Sequence, residues 1–277
     1  MKSSTICHEW LDSLPLSDGY LKNEQLKGRE FLLNQGMPCK KDEAWRLSNF
    51  KKLNSFLSLP TTIDSEDIKS TFISVFPGKD KNRERIIIDP NKNPTLNINL
   101  PNGIEKLNNK EIELNIGKIV NSANINNDIS VSLNQASSSN LLALKVKSNF
   151  KQSLEIVIPS IEGKSISSRI FLLIEEGAKL DLLQVFLGNH NSAQNHLIEI
   201  KLESKVELTH GLISLGEEKE SSSICTLAVE QSENSKYSLH SIHHGWDYAR
   251  FEPRIIQSEG EASTIIKGLQ VTKSKEQ

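Results

Sequence analysis

Cysteine is scarce in this chain: three in 277 residues, Cys7, Cys39 and Cys225, odd in number and far apart. No CxxC spacing occurs, which argues against a zinc knuckle, against an iron–sulfur cluster held by these cysteines alone, and against a disulfide framework. So few thiols fit a reducing compartment, with the cytoplasm as the default. Aromatic residues reach only 5% and apolar residues 36%, thin for a globular chain yet above the disordered range. A charge excess is missing too. The 33 Lys+Arg nearly cancel 35 Asp+Glu, leaving −2, so neither a nucleic-acid surface nor an acidic tail is announced. No run approaches the roughly 18 apolar residues that cross a membrane. The opening MKSSTICHEWLDSLP lacks the uninterrupted apolar stretch of a secretory signal.

What is present divides the chain near residue 80, and the length allows one large domain or two modest ones. Residues 1 to about 57 read as helical. In LKNEQLKGREFLLNQG the apolar Leu21, Leu26, Phe31 and Leu32 follow a broadly helical period among good helix formers. Gly36 supplies a stop, with Pro38 beyond it. DEAWRLSNFKKL places acids first and lysines last, matching a helix dipole, and reads as a short helix. Ile68, Phe72, Ile73 and Phe76 suggest one more helix before Pro77-Gly78.

The remainder, 81–277, reads as β. RIIIDP (85–90) and TLNINL (95–100) look like strands, and the asparagine-dense stretch 91–127 like short strands joined by tight corners. From ISVSL (129–133) through LLALKV, LEIVI, RIFLLI, KLDLLQVFL, HLIEIKL, VELTHGLISL, SICTLAVEQ, SLHSI and RIIQ to STIIKGLQV (263–271), strand signals recur every 12 to 16 residues. No amphipathic helix separates them, which excludes a βαβ sheet. A sandwich, a barrel or a β-helix remains. Hairpin dipeptides are nearly absent, Asn102-Gly103 being the one Asn-Gly, and this leans toward the β-helix while leaving the sandwich open.

Catalytic motifs fail on inspection. Glu162-Gly163-Lys164-Ser165 ends like a phosphate loop, but Ile158 stands where the first glycine belongs and a strand follows instead of a helix. Ser214 lies one position too far from Gly211 for a nucleophile elbow. His240 and His244 share a strand face with His243 opposed, and four strand residues span roughly 13 Å, too far for one metal. Arg250, Glu252 and Arg254 alternate on one face as a surface salt-bridge ladder worth little alone. No catalytic, cofactor-binding or metal-ligating residue is assigned, and the chain reads as a non-enzyme.

The segment Gly36-Met37-Pro38-Cys39-Lys40-Lys41-Asp42-Glu43-Ala44-Trp45-Arg46 resembles the G-x-P-x-x-K/R-x-E-x-W-R/K signature of the SufB/SufD family. Leu133-Asn134-Gln135-Ala136, Glu175-Glu176-Gly177-Ala178, Phe251-Glu252-Pro253-Arg254 and Ile266-Lys267-Gly268-Leu269-Gln270 resemble that family's strand phrases in order, most like SufD of cyanobacterial type. The resemblance implies a right-handed parallel β-helix behind a helical N-terminal domain. It also implies a non-catalytic scaffold subunit of SUF iron–sulfur cluster assembly, pairing with SufB and coupled to the SufC ATPase. The cluster would be built transiently on the parent complex, with no cofactor bound by this chain alone and neither nucleic acid nor membrane as partner. Within the motif, Trp45 and Pro38 are expected to pack the helices against their neighbour, and Glu43 and Arg46 to cap or pair. The family's SufC-binding helices would follow Gln270, whereas the sequence ends at Gln277. A truncated core, with SufC contact in doubt, is therefore expected. The alternatives are a carbohydrate-active β-helix lyase or hydrolase, which needs clustered carboxylates, and a degenerate adaptor without SufC contact.

Overall fold

In a computed structural model of the protein, residues 2–61, 82–88, 100–217 and 220–272 are described. The helix expected around Ile68–Phe76, most of the strand expected at 95–100 and the boundary near 80 lie outside them. The chain begins with α1 (Lys2–Ser13), α2 (Tyr20–Gln35), a 3₁₀ turn at Glu43–Trp45 and α3 (Phe50–Ser58). Gly36 ends α2 as expected, at φ 74° and with its N–H on the Leu32 carbonyl. The single helix expected over 42–53 is instead that 3₁₀ turn followed by α3, because the Asn49 side chain caps α3 by accepting from the Lys52 N–H.

β1 (Arg83–Ile87) and β2 (Ile104–Lys106) precede three helices, α4 (Asn109–Asn115), α5 (Lys118–Ser122) and α6 (Ile129–Ser137). These helices overturn two expectations. In the described part of the asparagine-rich stretch β2 is a short strand as expected, but 109–115 and 118–122 are helical where strands were expected, with Asn108 and Glu111 forming the reciprocal capping box that starts α4. ISVSL (129–133) belongs to α6 although it alternates like a strand. Every residue from Ser130 to Ser137 is buried, so packing overrides the two-residue period.

Ten strands follow: β3 (Leu141–Val146), β4 (Ser153–Pro159), β5 (Ser165–Ile174), β6 (Lys179–Leu187), β7 (Ala193–Leu202), β8 (Glu207–Leu215), β9 (Ser222–Gln231), β10 (Lys236–His244), β11 (Tyr248–Gln257) and β12 (Ser263–Val271). They alternate between two six-stranded sheets, ordered β1-β4-β6-β8-β10-β12 and β11-β9-β7-β5-β3-β2, parallel throughout except for β2 against β3. This is a parallel β-solenoid of about five turns. One coil takes about 28 residues: Leu154 pairs with Leu182, and Leu180 with Leu208. Its dry interior stacks Leu154, Ile170, Leu172, Ile198, Ile200, Leu227 and their neighbours. Each such side chain contributes roughly 1.5–3 kcal/mol by leaving water.

The helices cover the outer face of the second sheet. Ile119, Val120 and Val131 meet Phe171, Leu197 and Ala228 there, so β5, β7 and β9 are buried on both faces along nearly their whole length. The first sheet keeps the alternating pattern of one wet face, clearest in β8 and β10. At one corner Gly177, Lys205, Asn234 and Glu261 all take φ between 57° and 69° at intervals of 28, 29 and 27 residues, marking the coil repeat. An added Cβ at Gly177 would meet nothing within 4 Å, so only backbone strain opposes it. Gly177→Ala should therefore lose about 1 kcal/mol, read as a lower denaturant midpoint at unchanged slope.

Candidate functional site

The signature segment packs against the last strand of the second sheet. Trp45 is buried, and the Arg250 guanidinium lies 3.9 Å from its ring centroid. Arg250 also donates to the Ala44 carbonyl at 3.0 Å and to Glu252 at 2.5 Å. Glu252 in turn accepts from Ser130 of α6 and lies 3.9 Å from Arg254. Of the ladder expected on the surface, Glu252 is buried at 8% exposed, beneath α6 and the Glu43–Trp45 turn, Arg250 is partly covered, and Arg254 stays at the surface. A desolvated network of this kind holds the helices to β11, with the cation–π contact adding to it. Pro38 is buried beside Trp45's segment, whereas Glu43, Arg46 and Cys39 are exposed.

A second anchor escaped the sequence reading. Arg169 on β5 is 1% exposed and holds Glu24 of α2 at 3.3 Å and Glu199 of β7 at 3.0 Å. Gly117 donates its N–H to Glu199 at 3.1 Å, and Gln135 donates to Glu24 at 3.0 Å. Burial pushes the Glu24 carboxyl up, but Arg169 and Lys27 outweigh it and hold it below its ordinary value. The available signal was a charge inside the otherwise apolar strands RIFLLI and HLIEIKL, since a charge buried on a two-sided strand needs a partner.

The solenoid interior is apolar along most of its width and polar beside one corner. Ser168, His196, Cys225 and Phe251 succeed one another at one position of four successive coils. The His196 ring stacks on Phe186 with centroids 4.1 Å apart. Full burial drives its pKa down to about 3, so it is a neutral imidazole. His210, also near 3 through burial, bonds Tyr237 at 2.9 Å. Burial and the nearby Glu252 push the Cys225 thiol up, leaving it an inert thiol. Ser214 faces inward and accepts from the Trp246 indole, so it is no exposed nucleophile. Ser165 opens a strand, consistent with rejecting the phosphate loop. On β10, His243 is buried against Phe251 while His240 is exposed on the opposite face. Among the described residues no group of three or more His, Cys, Asp or Glu is placed to hold a metal.

β12 ends the first sheet, so one of its edges has no strand partner among the described residues. Ile266 stacks on buried Leu239 yet is half exposed, and Ile265, Leu269 and Val271 are exposed as well. The remaining exposed large apolar residues, apart from Ile242 on neighbouring β10, are scattered over the helices and their connections or lie at the far sheet edge. Ile265, Leu269 and Val271 share the outer face of β12 with Ile242 of β10, while Ile266 lies on the face above the interior.

Fold and surfaces together define a β-solenoid protein with a helical flank and an apolar terminal coil. Residues 157–277 match the family model described as SUF system FeS cluster assembly, SufBD core domain. The match covers the coils from within β4 to β12; the signature segment and, among the described residues, the helices α1 to α6 lie outside it. No curated protein matches the chain. Among the described residues no helix is long and apolar enough to cross a membrane.

Proposed function

We propose that this protein is a SufD-like, non-catalytic scaffold subunit of SUF iron–sulfur cluster assembly that pairs with a SufB-like subunit through its terminal coil. The observation that carries this reading is the coincidence of the core-domain match with exposed apolar side chains on both faces of β12, Ile266 on one and Leu269 and Val271 on the other, beside an edge with no strand partner among the described residues. A free strand edge offers backbone hydrogen bonds, and alternate apolar side chains beside it add burial and register. The cluster is cargo of the assembled complex, and nucleotide-driven motion would come from a SufC-like ATPase in the same complex. The cytoplasm is its proposed compartment.

Co-expression with SufB-like and SufC-like subunits tests the pairing. The chain should co-purify with the SufB-like subunit, and Ile266→Glu with Leu269→Glu should weaken that contact by at least about 30-fold, as for two interfacial anchors lost. Pairing unaffected by both charges would remove the terminal coil from the interface. A chain that binds neither subunit and instead cleaves an acidic polysaccharide would overturn the scaffold reading.

A further inference from the structure

A pocket at the start of the solenoid stands apart from the terminal coil. The first four residues of β5 extend beyond β3, whose Leu141 pairs with Arg169, and this overhang leaves a cleft of about 50 Å³. Ile88, Ile158 and Ile166 form an apolar side, and Thr61, Asn140, Ser165, Ser167 and Ser168 supply polar groups. Ser165 is 2% exposed, and neither its hydroxyl nor that of Thr61 has a hydrogen-bond partner. Buried hydroxyls are normally satisfied, so two orphans in one cleft point to a ligand.

The hydrogen-bond directions around the pocket say what it would take. The Gln194 amide N–H donates to the Leu187 carbonyl at 2.7 Å, which turns its oxygen toward His196 Nε2 at 3.1 Å. An amide oxygen only accepts, so Nε2 carries the imidazole proton and Nδ1 is bare. Ser168 Oγ, 2.7 Å from that Nδ1, therefore donates its one proton inward. Ser137 donates to the Leu133 carbonyl, so the Ser167 hydroxyl, 2.6 Å away, donates to Ser137. Ser167 and Ser168 thus have only lone pairs left for the pocket, while Ser165 and Thr61 keep free protons. The charge of the one charged lining residue, Arg169, is engaged by Glu24 and Glu199 through its two terminal nitrogens, leaving only its Nε–H unpartnered.

We infer that this pocket binds a small neutral carboxamide or urea-type molecule, its N–H groups donating to Ser167 and Ser168 and its carbonyl accepting from Ser165 or Thr61. Size agrees: one water-sized occupant needs about 10–15 Å³ on this measure, so the pocket has room for three to five heavy atoms. A nucleotide or sugar does not fit.

Acetamide is the probe, with glycerol and ammonium chloride beside it, titrated into the full chain and followed by amide chemical shifts. So few atoms limit the affinity to a Kd of about 1–100 mM. Acetamide should shift resonances around Thr61, Ser165 and Ser167 with a saturable curve, and Ser165→Ala and Ser167→Ala should each weaken it about 3- to 10-fold, one hydrogen bond apiece. Unchanged amide dispersion elsewhere shows that each variant is folded. No saturable shift, or one insensitive to both variants, overturns the site. Equal binding of glycerol overturns the donor–acceptor match, and tighter binding of ammonium overturns the neutral class. The site stands or falls separately from pairing at β12.

Discussion

Replacing Arg169 with methionine is expected to cost about 3–5 kcal/mol, the loss seen when one partner leaves a buried ion cluster. Two carboxylates depend on it, Glu24 on α2 and Glu199 on β7, and neither has water to turn to. Arg169→Met leaves Glu199 fully buried with only the Gly117 N–H against its charge, while Glu24 keeps Lys27 at 2.8 Å and Gln135, so most of the loss falls on Glu199. The triple variant Arg169→Met, Glu24→Gln, Glu199→Gln removes all three charges while keeping an acceptor for Gly117. It should recover most of the loss, because a neutral buried set is often as stable as an ionic one. A triple variant as unstable as Arg169→Met would show that packing of the guanidinium, and not charge balance, sets the cost. The pH dependence carries the same signature. Glu24 has a folded value below its unfolded one, so its stabilisation is full above about pH 4.3 and is lost as pH falls through the lower folded value. Urea midpoints from pH 6 down to about 3 should show that slope in the parent and a weaker one in the triple variant.

That anchor also shows where reading a sequence stops. The strands from Leu141 onward were legible because β-branched and leucine runs, spaced by Gly, Asn and Ser corners, allow little else. The coil repeat was harder, since its marker is a backbone conformation shared by unlike residues such as Gly177, Lys205, Asn234 and Glu261. α6 was misread because Ile129, Val131 and Leu133 alternate, and only its burial between α2 and the second sheet makes the helix favourable. Asparagine misled in another way: the side chain that favours turns also caps helices, as Asn108 does. The pocket and the Arg169 cluster depend on register. Ser168 meets His196 at a separation of 28 residues, and Arg169 meets Glu24 at 145. Neither distance is visible until the coil length and the helix docking are known.

Register likewise sets the expected effect at Trp246, where alanine should cost about 3–5 kcal/mol. The indole is 3% exposed and donates to inward-facing Ser214 at 2.9 Å, so truncation opens a cavity and orphans a buried hydroxyl. The ring lies over a corner built from glycine. Gly188 and Gly216 occupy equivalent positions one coil apart, their N–H groups donating to the Leu215 and His244 carbonyls of the following coil. A Cβ on Gly188 would come within 2.6 Å of two ring atoms of Trp246. A Cβ on Gly216 would meet the Gly245 carbonyl oxygen at 2.4 Å, which is backbone and cannot step aside. Gly188→Ala should therefore cost about 1–3 kcal/mol in the parent and clearly less when Trp246 is already alanine. Gly216→Ala should cost at least as much in either background. Denaturant midpoints for the three single and two double variants distinguish these cases. Strict additivity at Gly188 would mean that the ring does not dictate the glycine, and that close approach of neighbouring coils alone requires it.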